Sequence, residues 1–212
     1  MVRPAPLPRW LLAALFSALL LVVLATAALA WISRTPDGAL PALGKVPAFT
    51  LVDQTGRSFN SAALQGKFVA VGFIYTNCPD ICPMLTTRMA QLQGELRRQG
   101  LLGSEALLLS ISVDPEQDTP DVLARYAADR GADTATWPFL TGDLAQIEDV
   151  VTKGFRVGYE KAAHAGHGTG QSYEVSHSGK VVLIDPRGEI RAYYDGETLD
   201  PARVIADIQA LR

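Results

Sequence analysis

The chain has 212 residues with only two cysteines, 19 basic against 22 acidic side chains, and a net charge of −3. It is long enough for one good-sized core. Two thiols are too few for a disulfide scaffold, a four-thiolate zinc site or a cysteine-ligated iron–sulfur cluster, so any sulfur chemistry must use a pair. Residues 1–34 carry Arg3, Arg9 and Arg34 and no acid, which leaves the remainder at −6, a poor match for a phosphate backbone that excludes nucleic acid as a partner.

From Trp10 to Ile32 the sequence is free of charge over a length that exceeds, at helical rise, the roughly 30 Å of a bilayer's hydrocarbon core. Trp10 and Trp31 stand at its ends, where indoles favour the headgroup region, and Arg3 and Arg9 precede it, which turns residues 1–9 toward the cytoplasm. Residues 10–32 therefore read as a transmembrane helix. The competing reading is a signal peptide cleaved near Ala28-Leu29-Ala30, although such apolar cores normally run only about 7–15 residues. Either way the body is delivered outside the cytoplasm, which for a bacterial inner membrane means the periplasm. Residues 34–47, with three prolines, two glycines and no apolar periodicity, read as a tether, so the linker is set at 33–46 and the folded domain at 47–212.

Beyond the tether, short β-rich runs alternate with longer amphipathic ones. Strands are predicted at 49–53, 57–60, 67–76, 106–113 and 137–140, with helices from about 83 to 98, 120 to 128 and 143 to 153. Strands at 180–185 and 189–194 meet at Asp185-Pro186-Arg187-Gly188, a hairpin turn, and a closing helix starts at Pro201. The runs KFVAVGFIYT and ALLLSISV are continuously apolar, as central strands buried on both faces are. Strand–helix–strand order predicts a mostly parallel sheet covered on both sides, and the hairpin makes it mixed, an α/β fold with helices over a mixed central sheet. The stretch AAHAGHGTGQS near 162–172 carries no predicted regular structure.

Cys78 and Cys82, in YTNCPDICPM, follow the strongest predicted central strand and stand at the entrance to a helix. Ligands bind at the carboxyl ends of strands in open α/β sheets, and a helix amino terminus favours the thiolate, so this is a place for reactive sulfur. A structural disulfide here would enclose three residues and stabilise little. Two readings stay open: a dithiol that shuttles electrons, which usually has two intervening residues rather than three, or a grip on a soft metal. His177, just before the strand at 180–185, is the candidate third ligand, and two thiolates with an imidazole suit copper. His164 and His167 read as a solvated loop with a capacity for transient metal contact. Asp114 is a candidate partner behind the ligands, whereas Asp118 and Thr119 read as turn and capping residues before Pro120.

CPDICP after an apolar strand, SVDPEQDTP about thirty-five residues later, and EVSHSG followed by KVVLIDPRG together resemble the Sco (SenC/PrrC) family of copper proteins over roughly residues 45–212, and an amino-terminal anchor belongs to the same resemblance. That resemblance implies a thioredoxin-like fold holding one copper ion, as Cu(I) or Cu(II), through Cys78, Cys82 and His177. It further implies that the chain takes metal from an extracytoplasmic copper donor and serves the dinuclear copper centre in subunit II of cytochrome c oxidase, by delivering copper, by reducing that subunit's cysteines, or both; the alternatives are a thiol–disulfide reductase acting on that subunit and a redox or copper sensor. Many members carry Asp just before the histidine, where this chain has Ser176.

Overall fold

The computed structural model describes residues 17–24, 26, 40–79, 81–163, 173–177 and 179–212, with the backbone alone for 159–163 and 173–177. The chain divides into two units, Met1–Ala39 and Leu40–Arg212. Of the segment expected to span a membrane, residues 17–24 and 26 are described and helical, with Leu19, Leu21 and Val22 exposed. Among the described residues no helix is long and apolar enough to cross a membrane, so the anchor expected at 10–32 lies largely outside them.

The second unit is built on strands β1 (Gly44–Lys45), β2 (Thr50–Asp53), β3 (Ser58–Asn60), β4 (Phe68–Ile74), β5 (Ala106–Ser112), β6 (Phe139–Thr141), β9 (Lys180–Ile184) and β10 (Glu189–Asp195). These form one eight-stranded sheet in the order β1-β10-β9-β4-β5-β6-β2-β3. Strands β7 (Tyr159–Ala163) and β8 (Tyr173–His177) form a separate antiparallel hairpin, an element the Gly/Ala-rich composition did not suggest. Helices α1 (Ile81–Arg98), α2 (Pro120–Asp129), α3 (Leu144–Glu148), which runs on as a π-helix Asp149–Gly154, and α4 (Pro201–Ala210) cover the sheet.

Period-two alternation in β4 divides the core. Phe68, Ala70 and Ile74 join Leu85, Met89 and Leu92 of α1 and Val204, Ile205 and Ile208 of α4 on one face. Val69, Val71 and Phe73 join Ile147, Val151 and Phe155 on the other. Every residue of β4 is buried, as the unbroken apolar run requires.

Two expectations are corrected. The sheet is mixed but not mostly parallel: only β4–β5 and β5–β6 pair in parallel, because the crossovers through α1 and α2 account for those two ladders and every other neighbour returns antiparallel. Residues 40–46, placed in the linker, belong to the folded unit. Their β1 pairs with β10, Arg156 donates to the Leu43 carbonyl and Arg191 to that of Leu40, so side-chain donors hold a segment that has no apolar periodicity.

Glycine spacing marks one tight approach. A Cβ on Gly196 would lie 2.5 Å from the Gly179 oxygen and 2.6 Å from Leu85 Cδ1, whereas one on Gly94, inside α1, would meet nothing within 4 Å. Gly196→Ala is expected to cost about 1–3 kcal/mol through overpacking, and Gly94→Ala to gain about 0.5–1 kcal/mol from helix propensity. Urea unfolding of the two variants checks both signs.

Candidate metal centre

At the end of β4 the parallel ladder stops at Ile74 opposite Ser112, and the Val113 amide closes it by donating to the Ile74 carbonyl at 2.8 Å. The chain then turns, with the Cys78 amide donating to the Tyr75 carbonyl at 3.2 Å. Helix α1 starts at Ile81, two residues earlier than Pro83 suggested, so Cys82 sits inside its first turn. Pro83 is tolerated there because first-turn amides have no intrahelical acceptor to lose.

Both cysteines are thiols, Cys78 at 7% and Cys82 at 0% exposure. The Cys82 amide donates to Cys78 Sγ at 3.4 Å, so a helix-terminal N–H faces the outer sulfur and favours negative charge on it. Burial pushes the Cys82 thiol well above the ordinary cysteine range, with its neighbour Cys78 and the nearby Asp118 adding to the shift. The pair is therefore asymmetric: an outer sulfur that meets reagents or metal first, and an inner one that yields its proton only to something that replaces the charge.

The surrounding polar groups are the part that sequence reading missed. Asp118, read as a turn residue, is fully buried and gathers four hydrogen-bond contacts. The Thr76 amide reaches its two oxygens at 3.2 and 3.1 Å, the Thr76 hydroxyl at 2.6 Å and the Ser112 hydroxyl at 2.5 Å. Burial raises its carboxyl above the usual range, partly countered by the donors from Ser112 and Thr76. Asp114, the residue sequence reading favoured, is buried beside this network, where its amide donates to Ser112 Oγ at 3.0 Å and its carbonyl accepts from Gln117 and Asp118. On the other side of the pair, Thr86 donates to the Cys82 carbonyl at 2.8 Å and lies 2.8 Å from the Tyr126 hydroxyl. With its own proton committed, the Thr86 oxygen accepts from Tyr126. Burial raises the Tyr126 phenol, and the Arg130 guanidinium stacks 5.1 Å from its ring centroid. No local signal marks these residues, since Thr76 and Asp118 are 42 positions apart and Thr86 and Tyr126 are 40.

His177 is the last residue of β8, where it pairs with Tyr159, and its imidazole is not among the described side chains. Its backbone position is nonetheless informative. Gly179, with φ of +53°, packs so closely on Ile81 that an added Cβ would lie 2.1 Å from Ile81 Cδ1, and its carbonyl accepts from the Gly196 amide at 2.8 Å. His177 is thus two residues, at most about 7 Å of extended chain, from a point in contact with the residue preceding Cys82. His164 and His167 lie outside the described residues. Among the described side chains, no three His, Cys, Asp or Glu gather as a metal site. The thiols supply two soft donors, and an imidazole delivered from the end of β8 would complete a set suited to copper.

A vicinal dithiol at the carboxyl end of a central strand, on a mixed sheet covered by helices, defines a thioredoxin-like thiol domain. The profile of the SCO1/SenC family matches residues 40–212, and the chain belongs to that family. It is 32% identical over 168 residues to the SCO1 protein homolog of Bacillus subtilis, covering 78% of this chain and 82% of that one. The structure of Bradyrhizobium japonicum ScoI with copper bound superposes with a TM-score of 0.65 at 28% identity, over 79% of this chain and 99% of that one. BsSco, described for its disulfide switch as a member of the Sco family of cytochrome c oxidase assembly proteins, superposes with a TM-score of 0.66 at 30% identity, over 81% and 96%.

The asymmetry of the pair is directly measurable. At neutral pH a small alkylating reagent is expected to label Cys78 ahead of Cys82 by more than about tenfold, since each unit of upward shift removes about nine-tenths of the thiolate. Mass mapping of the labelled peptides reads the ratio, and equal labelling would show that the inner sulfur is not protected.

Proposed function

We propose that the chain is a membrane-tethered, extracytoplasmic copper-binding protein of cytochrome c oxidase assembly. It takes one copper ion on Cys78, Cys82 and His177 and passes it to the dinuclear copper site of subunit II. The observation that carries this reading is the packing of Gly179, two residues beyond the end of β8, on Ile81 in the first turn of α1, next to a cysteine pair in which the Cys82 amide already reaches Cys78 Sγ. Relatives solved with copper bound, among them ScoI of Bradyrhizobium japonicum and ScoI of Arabidopsis thaliana, support copper as the cargo. In this reading residues 10–32 anchor the protein in the inner membrane with residues 1–9 inside, 33–39 tether it, and the body works in the periplasm.

Transfer in this scheme is ligand exchange. A partner's thiolates replace Cys78 first, because its sulfur is the outer one, then His177 and Cys82, and no electron changes hands. Protons must leave both thiols for copper to enter, so affinity rises with pH and falls on acidification, and the buried Cys82 dominates that dependence. A second reading, reduction of the subunit's disulfide by the same pair, is favoured by the outer and inner placement of the sulfurs. Asp114 stands behind the site through its amide on Ser112.

One variant separates the two. In the full chain, His177→Ala is expected to lower copper affinity by more than the roughly 10–100-fold that follows loss of a group that only orients a ligand, and to abolish oxidase assembly while leaving a reducible cysteine pair. Stoichiometry by metal analysis and oxidase activity in membranes are the readouts. Assembly that survives His177→Ala but fails with Cys78→Ser would assign the function to thiol reduction.

A further inference from the structure

We propose that Asp118 is the positioning residue of the cysteine site: through Thr76 it fixes where Cys78 stands relative to Cys82. The inference rests on the copper-binding reading above for its consequence, though not for its geometry. Sheet pairing ends at Ile74 and Ser112, so Thr76 and Asn77 lie beyond the ladder, on the way to Cys78. One carboxylate holds Thr76 there. Both donors of Thr76, its amide and its hydroxyl, converge on Asp118 at 2.6 to 3.2 Å, and Ser112 donates to the same carboxylate at 2.5 Å. Asp118 is itself fixed, because its amide donates to the Asp114 carbonyl at 2.9 Å.

The result is a clamp between the end of β4 and the end of β5, two residues ahead of Cys78. A carboxylate is the group this clamp needs. Both of its oxygens accept only, and each of the groups hydrogen-bonded to it in the clamp, the Thr76 amide and hydroxyl and the Ser112 hydroxyl, is a donor. An amide of the same shape would turn its NH₂ toward the Thr76 N–H in either orientation, because that N–H reaches both oxygens, so one contact would become two donors facing each other. Released from that contact, the turn 75–78 would move the outer sulfur while the inner one stayed with helix α1.

The test compares two variants in the full chain. Asp118→Asn removes the charge and one acceptor, whereas Thr76→Val removes one donor and keeps the charge. Copper affinity by chelator competition is expected to fall roughly 10–100-fold in Asp118→Asn, the range seen when groups that orient metal ligands are removed. The fall in Thr76→Val is smaller, and both variants show an altered sulfur-to-copper charge-transfer band and a far-UV spectrum like the wild type's. The double variant is expected to lose no more than Asp118→Asn alone, because both act through one contact. A second readout needs no metal: the Cys78 to Cys82 alkylation ratio should drop several-fold in both variants. If either readout is the same as wild type in both variants, the proposal is overturned. Should Asp118→Asn fail to fold, Thr76→Val alone decides it by the same two readouts. A wild-type chain that takes up no copper would sink the copper reading, while the alkylation ratios would still decide whether Asp118 places Cys78.

Discussion

The parallel ladder between β4 and β5 is the constraint from which the rest of the folded unit follows. Both strands are buried almost throughout, so their sequences are mainly apolar, and the two serines of β5 are buried with partners, Ser110 accepting from the Trp137 indole and Ser112, at the strand's end, donating to Asp118. Reactive groups are confined to where the ladder stops. At its carboxyl end the backbone keeps its demand for partners, and buried amides left without one are costly. The chain meets that demand with a turn bond at Cys78, a sulfur acceptor for the Cys82 amide and a carboxylate for Thr76. The polar architecture of the site is thus the way the sheet ends.

Burial decides what such a site can hold. Cys78 and Cys82 belong to the same apolar cluster as Leu85, Met89 and Trp137. Two thiolates there, with no cation, would face both desolvation and mutual repulsion, and the upward push on Cys82 expresses that cost. A soft cation that needs few ligands and little hydration offsets the charge where a strongly hydrated one would not. An electron-pair exchange that converts both thiols to a disulfide also leaves no buried charge. Copper binding and disulfide formation are two answers to one electrostatic problem, which is why both readings start from the same pair.

How much of this was legible depended on how local the cause was. The central strands could be read because continuous Val, Ile and Leu can be satisfied only between two covered faces. The β9–β10 hairpin could be read because Asp185 accepts from Gly188 in a four-residue turn that Gly188 closes at φ of +79°. Strand neighbours could not, since β9 sits beside β4 through pairing across more than a hundred residues. Spacing singles out Cys78 and Cys82, whereas the reading of His177 as a third ligand rests on its place before a strand. Asp118 did not: Asp next to Thr-Pro looks like a helix start, and Thr119 does precede Pro120 at the first helical position without making a side-chain cap bond. What separates the two roles is a partner 42 residues upstream, which no local pattern encodes.

The two sides of the site are held by different kinds of structure. The sulfurs stand on the turn that follows β4 and on the first turn of α1, next to the main sheet and its covering helix. His177 ends a hairpin that shares no ladder with the eight-stranded sheet among the described residues. Its position relative to the sulfurs is therefore set at the junction, by Gly179 between Ile81 and Gly196, where the left-handed backbone and the absence of a side chain permit the approach. With His177 as the proposed third donor, the two sulfurs keep their separation through the main sheet and helix while that donor depends on the backbone contact at Gly179. In the proposed copper-delivery reading, that division would put the exchange at the outer sulfur and the histidine and would leave the buried Cys82 as the last ligand to let go.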